Sequence, residues 1–458
     1  MAEIRSLCFQ DSIDRLPDEL LISIVSRLPV IEAGRTSILA RRWRYFWMFN
    51  LVLIFDGSHV LRALEKSGKP LKTERIKFMK GVNRILKLHS STTIEEFRIV
   101  FDLDERYARV IKQWLIFAFA KSVRRLELDL AISYTGVLHD QRYIFPNVCQ
   151  RMECLQIFPL GLSSCESLVT VSLREVDVTG EVLEFFLSNC PFLEELCVRD
   201  SGHLKNLRTS CPSIRLRQLE IVNCMAFRSL DICTPNLRSF TFYGLRITMA
   251  LKNVSSLSSL SLGAELSSIV TLNLIEISRC LSHLETLRLH TPAVSEYEKL
   301  PEYLYLPRLK KLILDVCAYG FESLLCYTPL INGAPLLHEI VLKLTLCETS
   351  NERRTIYPAK GRQHQCLEVL RIEGFSGTKT DVELAQYVVD NSVNLKKIVI
   401  GFCPPSVSRH AGAMGLRQRE MAAVEQVDVL GIAQMTMARE GISLVKARLP
   451  ADVQLIII

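Results

Sequence analysis

The chain has 458 residues, 48% of them hydrophobic and 23% charged, a balance that excludes extended disorder and suits either several domains or one long repeat array. A net charge of +7 is modest for this length and by itself points to no nucleic-acid partner. The 15 cysteines include no Cys-x-x-Cys pair and no two histidines lie three to five residues apart, so zinc-finger and zinc-ribbon spacings are absent.

The first segment, from Met1 to Asp14, has no apolar core and carries Glu3, Asp11 and Asp14, unlike a secretory signal. Runs such as Leu115–Ala120 fall far short of the roughly 20 apolar residues of a membrane span. The odd cysteine count then fits free thiols in a reducing compartment, and the expected location is cytoplasm and/or nucleus. The Asn253-Val254-Ser255 sequon is read as chance in that setting.

Residues 10–50 predict three short helices. Pro17 at a helix start, with Asp18 and Glu19 in the first turn, opens the first. Leu20, Leu21, Ile24, Val25 and Leu28 give its apolar stripe, and Pro29 ends it. A second helix is expected over Ile31–Leu39, and a third carries Arg41-Arg42-Trp43-Arg44-Tyr45-Phe46-Trp47. Three short helices bury little surface alone, so the unit is expected to lean on a partner or on the following domain. The run from Arg35 to Arg44 holds four arginines and no acid, read as a solvated face or as a contact for an acidic partner. Residues 51–90 read as a helical linker.

From Ile94 onward one pattern recurs: apolar, two mostly polar, apolar, one variable, apolar. It starts at Ile94, Val123, Met152, Leu168, Leu193, Leu216, Leu237, Leu257, Leu284, Leu309, Leu337, Leu367 and Leu395. Thirteen starts over 301 residues give a mean step of about 25, inside the 20–29 period of leucine-rich repeats. The 16-residue step between Met152 and Leu168 is too short for a full turn, so one of those two starts is suspect. The last two apolar positions of each copy share one face of a short strand, and stacking the copies builds a parallel sheet over a continuous core. Pro191, Pro235, Pro307 and Pro335 sit two residues before the first leucine, where proline stops a preceding outer-side helix. Cys224, Cys317 and Cys403 occupy the Asn/Cys position eight residues after it and are expected to be small buried fillers. Long loops are expected at Ala293–Leu304 and Glu348–Gln365.

Cys366–Pro405 reads as strand, Gly/Ser/Thr loop, helix over Asp381–Asp390 with Thr380 or Asp381 as cap, and strand. A further helix runs to about Arg448, with no assignment for Ala411–Gly431, and the chain closes on an apolar strand, Val453–Ile458. Gly377-Thr378-Lys379-Thr380 lacks the spacing of a phosphate loop.

Two stretches carry a resemblance. The run LPDELLISIVSRLPVIEAGRTSILARRWRYFW resembles an F-box in its Leu-Pro-Asp-Glu-Leu-Leu opening, its Arg-Leu-Pro helix end and its Arg-Arg-Trp close. It departs at Gly34, where an aliphatic residue is usual, and at Ala40, where a serine commonly caps the third helix. The C-terminal residues Gly374-Phe375-Ser376-Gly377, Asn394-Leu395-Lys396-Lys397 and the terminal Leu449-Pro450 strand resemble the FBD region of plant F-box/leucine-rich-repeat proteins. The expected fold is therefore α/β: an F-box at 10–50, a linker at 51–90, an irregular leucine-rich-repeat solenoid or horseshoe at 91–360, and an FBD region at 361–458 as its cap.

The resemblance implies a non-catalytic substrate-recognition subunit of an SCF-type cullin–RING ubiquitin ligase. It implies docking to a Skp-type adaptor through Leu16, Pro17, Leu20, Leu21, Ile24, Leu28, Ile38, Trp43 and Trp47, which form or support that surface. The target protein is unknown, and no cofactor, metal, membrane or nucleic acid is expected. The alternatives are a leucine-rich-repeat interaction scaffold outside any ligase and a small-ligand receptor.

Overall fold

A computed structural model describes residues 16–67, 70–130, 141–147, 165–209, 215–264, 267–292, 304–318, 323–346, 361–402 and 429–458. The chain forms two compact units, Met1–Leu204 with Ser213–Leu216, and Lys205–Pro212 with Arg217–Ile458.

The first unit opens with helices α1 (Asp18–Val25) and α2 (Val30–Thr36) and a 3-10 helix (Arg41–Phe49). Both prolines act as helix starters: Pro17 caps α1 and Pro29 caps α2. Helix α1 ends at Val25, before Pro29 is reached, and the second and third helices lie close to the predicted spans. Strand β1 (Val52–Asp56) follows, then helices α3 (Ser58–Ser67) and α4 (Leu71–Leu88). The repeat proper supplies β2 (Glu96–Val100), helix α5 (Ala108–Ala120), β3 (Arg125–Asp129), the short β4 (Tyr143–Ile144), β5 (Thr170–Arg174), β6 (Val176–Asp177), helix α6 (Gly180–Asn189) and β7 (Glu195–Arg199). Strands β1, β2, β3, β5 and β7 lie side by side, all parallel. Their register aligns Leu53, Phe97, Leu126, Val171 and Leu196 in one row and Phe55, Ile99, Leu128, Leu173 and Val198 in the next. Every member of both rows is buried, and each contributes about 2 kcal/mol by leaving water.

Strand β1 departs from the expectation of a purely helical 51–90 linker. Its register places Asn50 opposite Ile94, the position that an apolar residue holds in the copies that follow, so the repeat pattern does not register there.

The second unit repeats the plan with β9 (Gln218–Val222), β11 (Ser239–Tyr243), β13 (Ser259–Gly263), β14 (Thr286–Pro292), β15 (Lys311–Ala318), β16 (Glu339–Leu346), β17 (Val369–Phe375), β18 (Lys397–Phe402) and β19 (Gln454–Ile457), all parallel. Twelve of the thirteen predicted starts therefore lead into these parallel strands, Leu168 among them; Met152 lies outside the described residues, as do Cys403 and most of both predicted long loops. Cys224 and Cys317 are buried, as expected for fillers.

The outer side of the repeats corrects one expectation. Pro191 and Pro335 follow helices, α6 and α8 (Thr328–Asn332). Pro235 follows a strand. Between Asn206 and Lys252 the outer side is a second parallel sheet, β8 (Asn206–Thr209), β10 (Ser229–Cys233) and β12 (Thr248–Lys252). The steps here are only 20–23 residues, and Leu207, Leu230 with Ile232, and Met249 with Leu251 alternate with polar neighbours at period two. Where steps lengthen again, helices return as α7 (Ser267–Ile277) and α8.

At the C-terminal end, β17 leads through Ser376–Thr378 into helix α9 (Lys379–Asn391). The helix begins earlier than predicted: Thr378 is the N-cap, and Thr380 and Asp381 lie inside the first turn. The Asp381 carboxylate reaches back past the N-cap to accept from the Ser376 and Gly377 amides at 2.7 and 3.0 Å. Burial pushes this carboxyl upward against those donors. A carboxylate thus occupies the amides that a phosphate would need. Gly377 has φ +77°, and its Cα faces Gly441 of helix α10 (Val429–Lys446) so closely that a Cβ on Gly441 would stand 2.6 Å from it. Strand β19 closes the chain beside β18. Among the described residues no helix is long and apolar enough to cross a membrane, and no group of three His, Cys, Asp or Glu side chains is placed to hold a metal.

Candidate functional site

The N-terminal helical module has a core of five side chains: Leu21, Val25, Ala33, Trp43 and Phe46. Leu21 and Val25 are four residues apart and share one face of α1, while Trp43 and Phe46 meet at 6.0 Å between ring centroids. Leu16, Ile22, Leu28, Ala40 and Trp47 pack around this core, partly buried. Asp18 and Arg42 close the module, the Arg42 Nε donating to Asp18 at 2.6 Å and the guanidinium also reaching the Leu16 carbonyl at 2.6 Å.

A core this small leaves much apolar surface outside. Leu20 is 51% exposed, Ile24 47%, Ile31 48%, Ile38 84%, Leu39 66% and Tyr45 61%. Leu20 and Ile24 lie on α1 one residue before Leu21 and Val25, so they face outward on the neighbouring side of the same helix.

The nine side chains named from the sequence therefore separate. Pro17, Leu20, Ile24 and Ile38 are exposed. Leu16, Leu28 and Trp47 are half-buried against the core, and Leu21 and Trp43 are part of it, placed to support the surface from beneath. Ile31, Leu39 and Tyr45 join the exposed set, although the sequence pattern does not single them out. Ile31 and Leu39 stand at the ends of the expected second helix, and no periodicity marks a residue in the turn after α2.

Asn50 joins this module to the first sheet. It is fully buried; its amide donates to the Leu28 carbonyl at 2.6 Å and its Oδ1 accepts from the Val52 amide at 2.6 Å. The Leu51 amide donates to Ser26 O at 2.9 Å, and the Ser90 amide to Met48 O at 2.7 Å. His89 Nε2 lies 2.7 Å from the Asn50 carbonyl, and burial holds its imidazole below the ordinary value of 6.5.

The second surface is the strand face opposite the apolar rows. Charged side chains pair across neighbouring strands, Lys311 with Glu339 at 2.8 Å, Lys343 with Glu373 at 2.8 Å and Arg288 with Asp315 at 3.2 Å, and His290 Nδ1 lies 3.1 Å from the same Asp315 carboxylate. Next to it, Tyr243 leans over Gly263 toward His290, ring centroids 5.3 Å apart; a Cβ on Gly263 would stand 2.3 Å from the tyrosine ring. The face is mixed: Ile313, Val341 and Val399 stand in one row with Arg288 and Arg371.

Comparison with known proteins returned two family models. The F-box domain model matches residues 13–52, and the model described as the At1g61320/AtMIF1 LRR domain matches residues 85–457. The FBD-associated F-box protein At4g10400 of Arabidopsis thaliana is 30% identical over 242 residues, 50% of this chain and 55% of that protein. The chain likewise covers 54% of the putative F-box/LRR-repeat protein At4g15060, so against these two it spans just over half of the relative's length. The F-box/FBD/LRR-repeat protein At2g26030, from the same plant, is 23% identical over 432 residues, 85% of this chain and 92% of that protein.

Proposed function

Since this chain belongs to the plant F-box/leucine-rich-repeat proteins with a C-terminal FBD region, we propose that it is the substrate-recognition subunit of an SCF-type cullin–RING ubiquitin ligase. In this reading the F-box docks a Skp-type adaptor, the adaptor links it to the cullin and RING subunits, and the repeats hold a target protein. The chain itself performs no bond chemistry. Its contribution is proximity: a target lysine is held where a ubiquitin-charged enzyme on the same complex can reach it.

The observation that carries the reading is the apolar surface of the helical module. Leu20, Ile24 and Ile38 stand exposed above a five-residue core, and Pro17 marks the same helix start. Six large apolar side chains between residues 20 and 45 are at least 47% exposed, a concentration that fits a protein interface. Leu16, Leu28 and Trp47 contribute their outer edges to the docking surface, and Leu21 and Trp43 hold it in place. The target would lie on the strand face opposite the apolar rows, where exposed charged groups favour a partner of complementary charge.

The test is binding of the purified chain to a Skp-type adaptor, with Leu20→Ala/Ile24→Ala as the variant. Truncating two interface anchors should weaken binding by about 2 kcal/mol or more while the chain stays folded. Equal affinity of native chain and folded variant would remove these two residues from the interface. No binding by the native chain would favour the non-ligase scaffold.

A further inference from the structure

Most charges on the strand faces have an oppositely charged neighbour; the outward face of α4 is different. Its sequence, LKTERIKFMKGVNRILKL, carries six cations and one acid. Arg75 is turned inward, buried, and paired with Asp102 and Asp104. Lys72, Lys77, Lys80, Arg84 and Lys87 are all exposed. Glu74 reaches Lys77 at 2.7 Å. Among the described residues, Lys72, Lys80, Arg84 and Lys87 have no acidic partner.

At 100° per residue, Lys77, Lys80, Arg84 and Lys87 fall within an arc of about 80° and span about 15 Å of helix. Like charges three and four residues apart oppose the helix that carries them, so the row is not explained by folding. Ile76 and Leu88 flank it, 39% and 40% exposed. The row ends at the helical module, where Ser90 donates to the Met48 carbonyl.

We propose that the outward face of α4 binds an acidic, amphipathic segment of a partner polypeptide. Carboxylates one turn apart would meet the row, and aliphatic side chains beside them would cover Ile76 and Leu88. A peptide fits better than a nucleic acid, because the row is bordered by aliphatic residues and the helix's one aromatic, Phe78, is stacked inward on Phe101 at 4.2 Å and cannot receive a base. The site is independent of the adaptor surface on α1.

The experiment uses the full chain and a fluorescein-labelled synthetic peptide with glutamates and leucines at helical spacing, followed by anisotropy. Native chain should bind the peptide, and affinity should fall as salt rises. Lys80→Glu/Arg84→Glu/Lys87→Glu should weaken binding about tenfold or more, and the corresponding glutamine triple variant by a smaller factor. If the charge reversal unfolds the chain, the glutamine variant decides. Ile24→Asp/Ile38→Asp, which targets the adaptor surface, should leave peptide binding unchanged. The proposal is overturned if native chain does not bind, if the folded triple variants bind as well as native, or if a labelled oligonucleotide or anionic phosphatidylserine vesicles bind the same face at least as tightly as the peptide.

Discussion

The helical module and the repeat sheets use the same residue types in opposite ways. In the sheets, the two apolar rows stay buried up to the last strand, where Leu455 is half-buried and Ile457 exposed: Leu260, Leu287, Leu312 and Ile340 are all fully buried, and each strand covers the next. In the module, Leu21 and Val25 go inside while Leu20 and Ile24, chemically the same, stay outside. A stack satisfies itself because each copy meets another copy. Three short helices have no second copy to meet, and the surface left over is what a partner can use.

The comparison breaks most visibly under truncation of the stack. Leu312→Ala should cost about 2–5 kcal/mol of stability, read as a lowered denaturant midpoint, because the void lies between two neighbouring strands and cannot collapse. Ile38→Ala, at 84% exposure, should change the same midpoint by no more than about 0.5 kcal/mol. A loss for Ile38 resembling that for Leu312 would mean the module spends its apolar surface internally after all. Gly377→Ala should cost about 1–3 kcal/mol, since the new Cβ would meet the Met437 carbonyl at 2.1 Å in a left-handed backbone. The melting temperature of that variant checks the close approach of α10 to the α9 loop.

The module is sharpened by the opposite kind of change. Gly34 lies in α2 and has open space within 4 Å of the point where a methyl group would sit, so Gly34→Ala should stabilise by up to about 1 kcal/mol. Ala40 is the N-cap of the 3-10 helix and offers no side-chain acceptor; Ala40→Ser should add about 0.5 kcal/mol or more. Either substitution should leave adaptor affinity unchanged if the docking surface is already in place.

The smallest effect is a pH dependence. Burial lowers the His89 imidazole below 6.5 in the folded chain, and the unfolded chain keeps the ordinary value. Protons therefore bind the unfolded state preferentially as pH falls through about 6.5, and stability drops with them until the folded value is reached. His364, also lowered by burial, acts in the same direction in the second unit. Melting temperatures at pH about 7.5 and about 5.5 should differ less in His89→Gln than in the native chain, relative to each protein's own maximum.

The repeat was legible because its signal is redundant. A pattern with fixed internal spacing survives steps as different as 20 and 30 residues, since the strand positions are set by burial on one face and the steps between them only by what fills the outer side. That outer side was harder to read: β8, β10 and β12 replace helices where the step is short, and the proline rule at Pro235 looks the same for either. Strand β1 is hidden because Asn50 stands where the pattern requires an apolar residue. In the module, helical periodicity correctly gave a broad stripe on α1 but could not divide it. Leu20 and Leu21 differ by 100° around the helix, and which of them turns inward is decided by Trp43 and Phe46, which lie more than twenty residues away in sequence.

Asn50 has a mechanical consequence. An apolar residue in its place would fill the volume but grip nothing, leaving only the backbone bonds of Leu51 and Ser90 to set the angle of the helices. Hydrogen bonds have direction, and those of Asn50 reach the Leu28 carbonyl on one side and the Val52 amide on the other. Whatever is clamped to the outer flank of α1 is thereby given a fixed bearing on the first strand. The joint behaves as a keyed shaft, and a change of angle there would have to break the key.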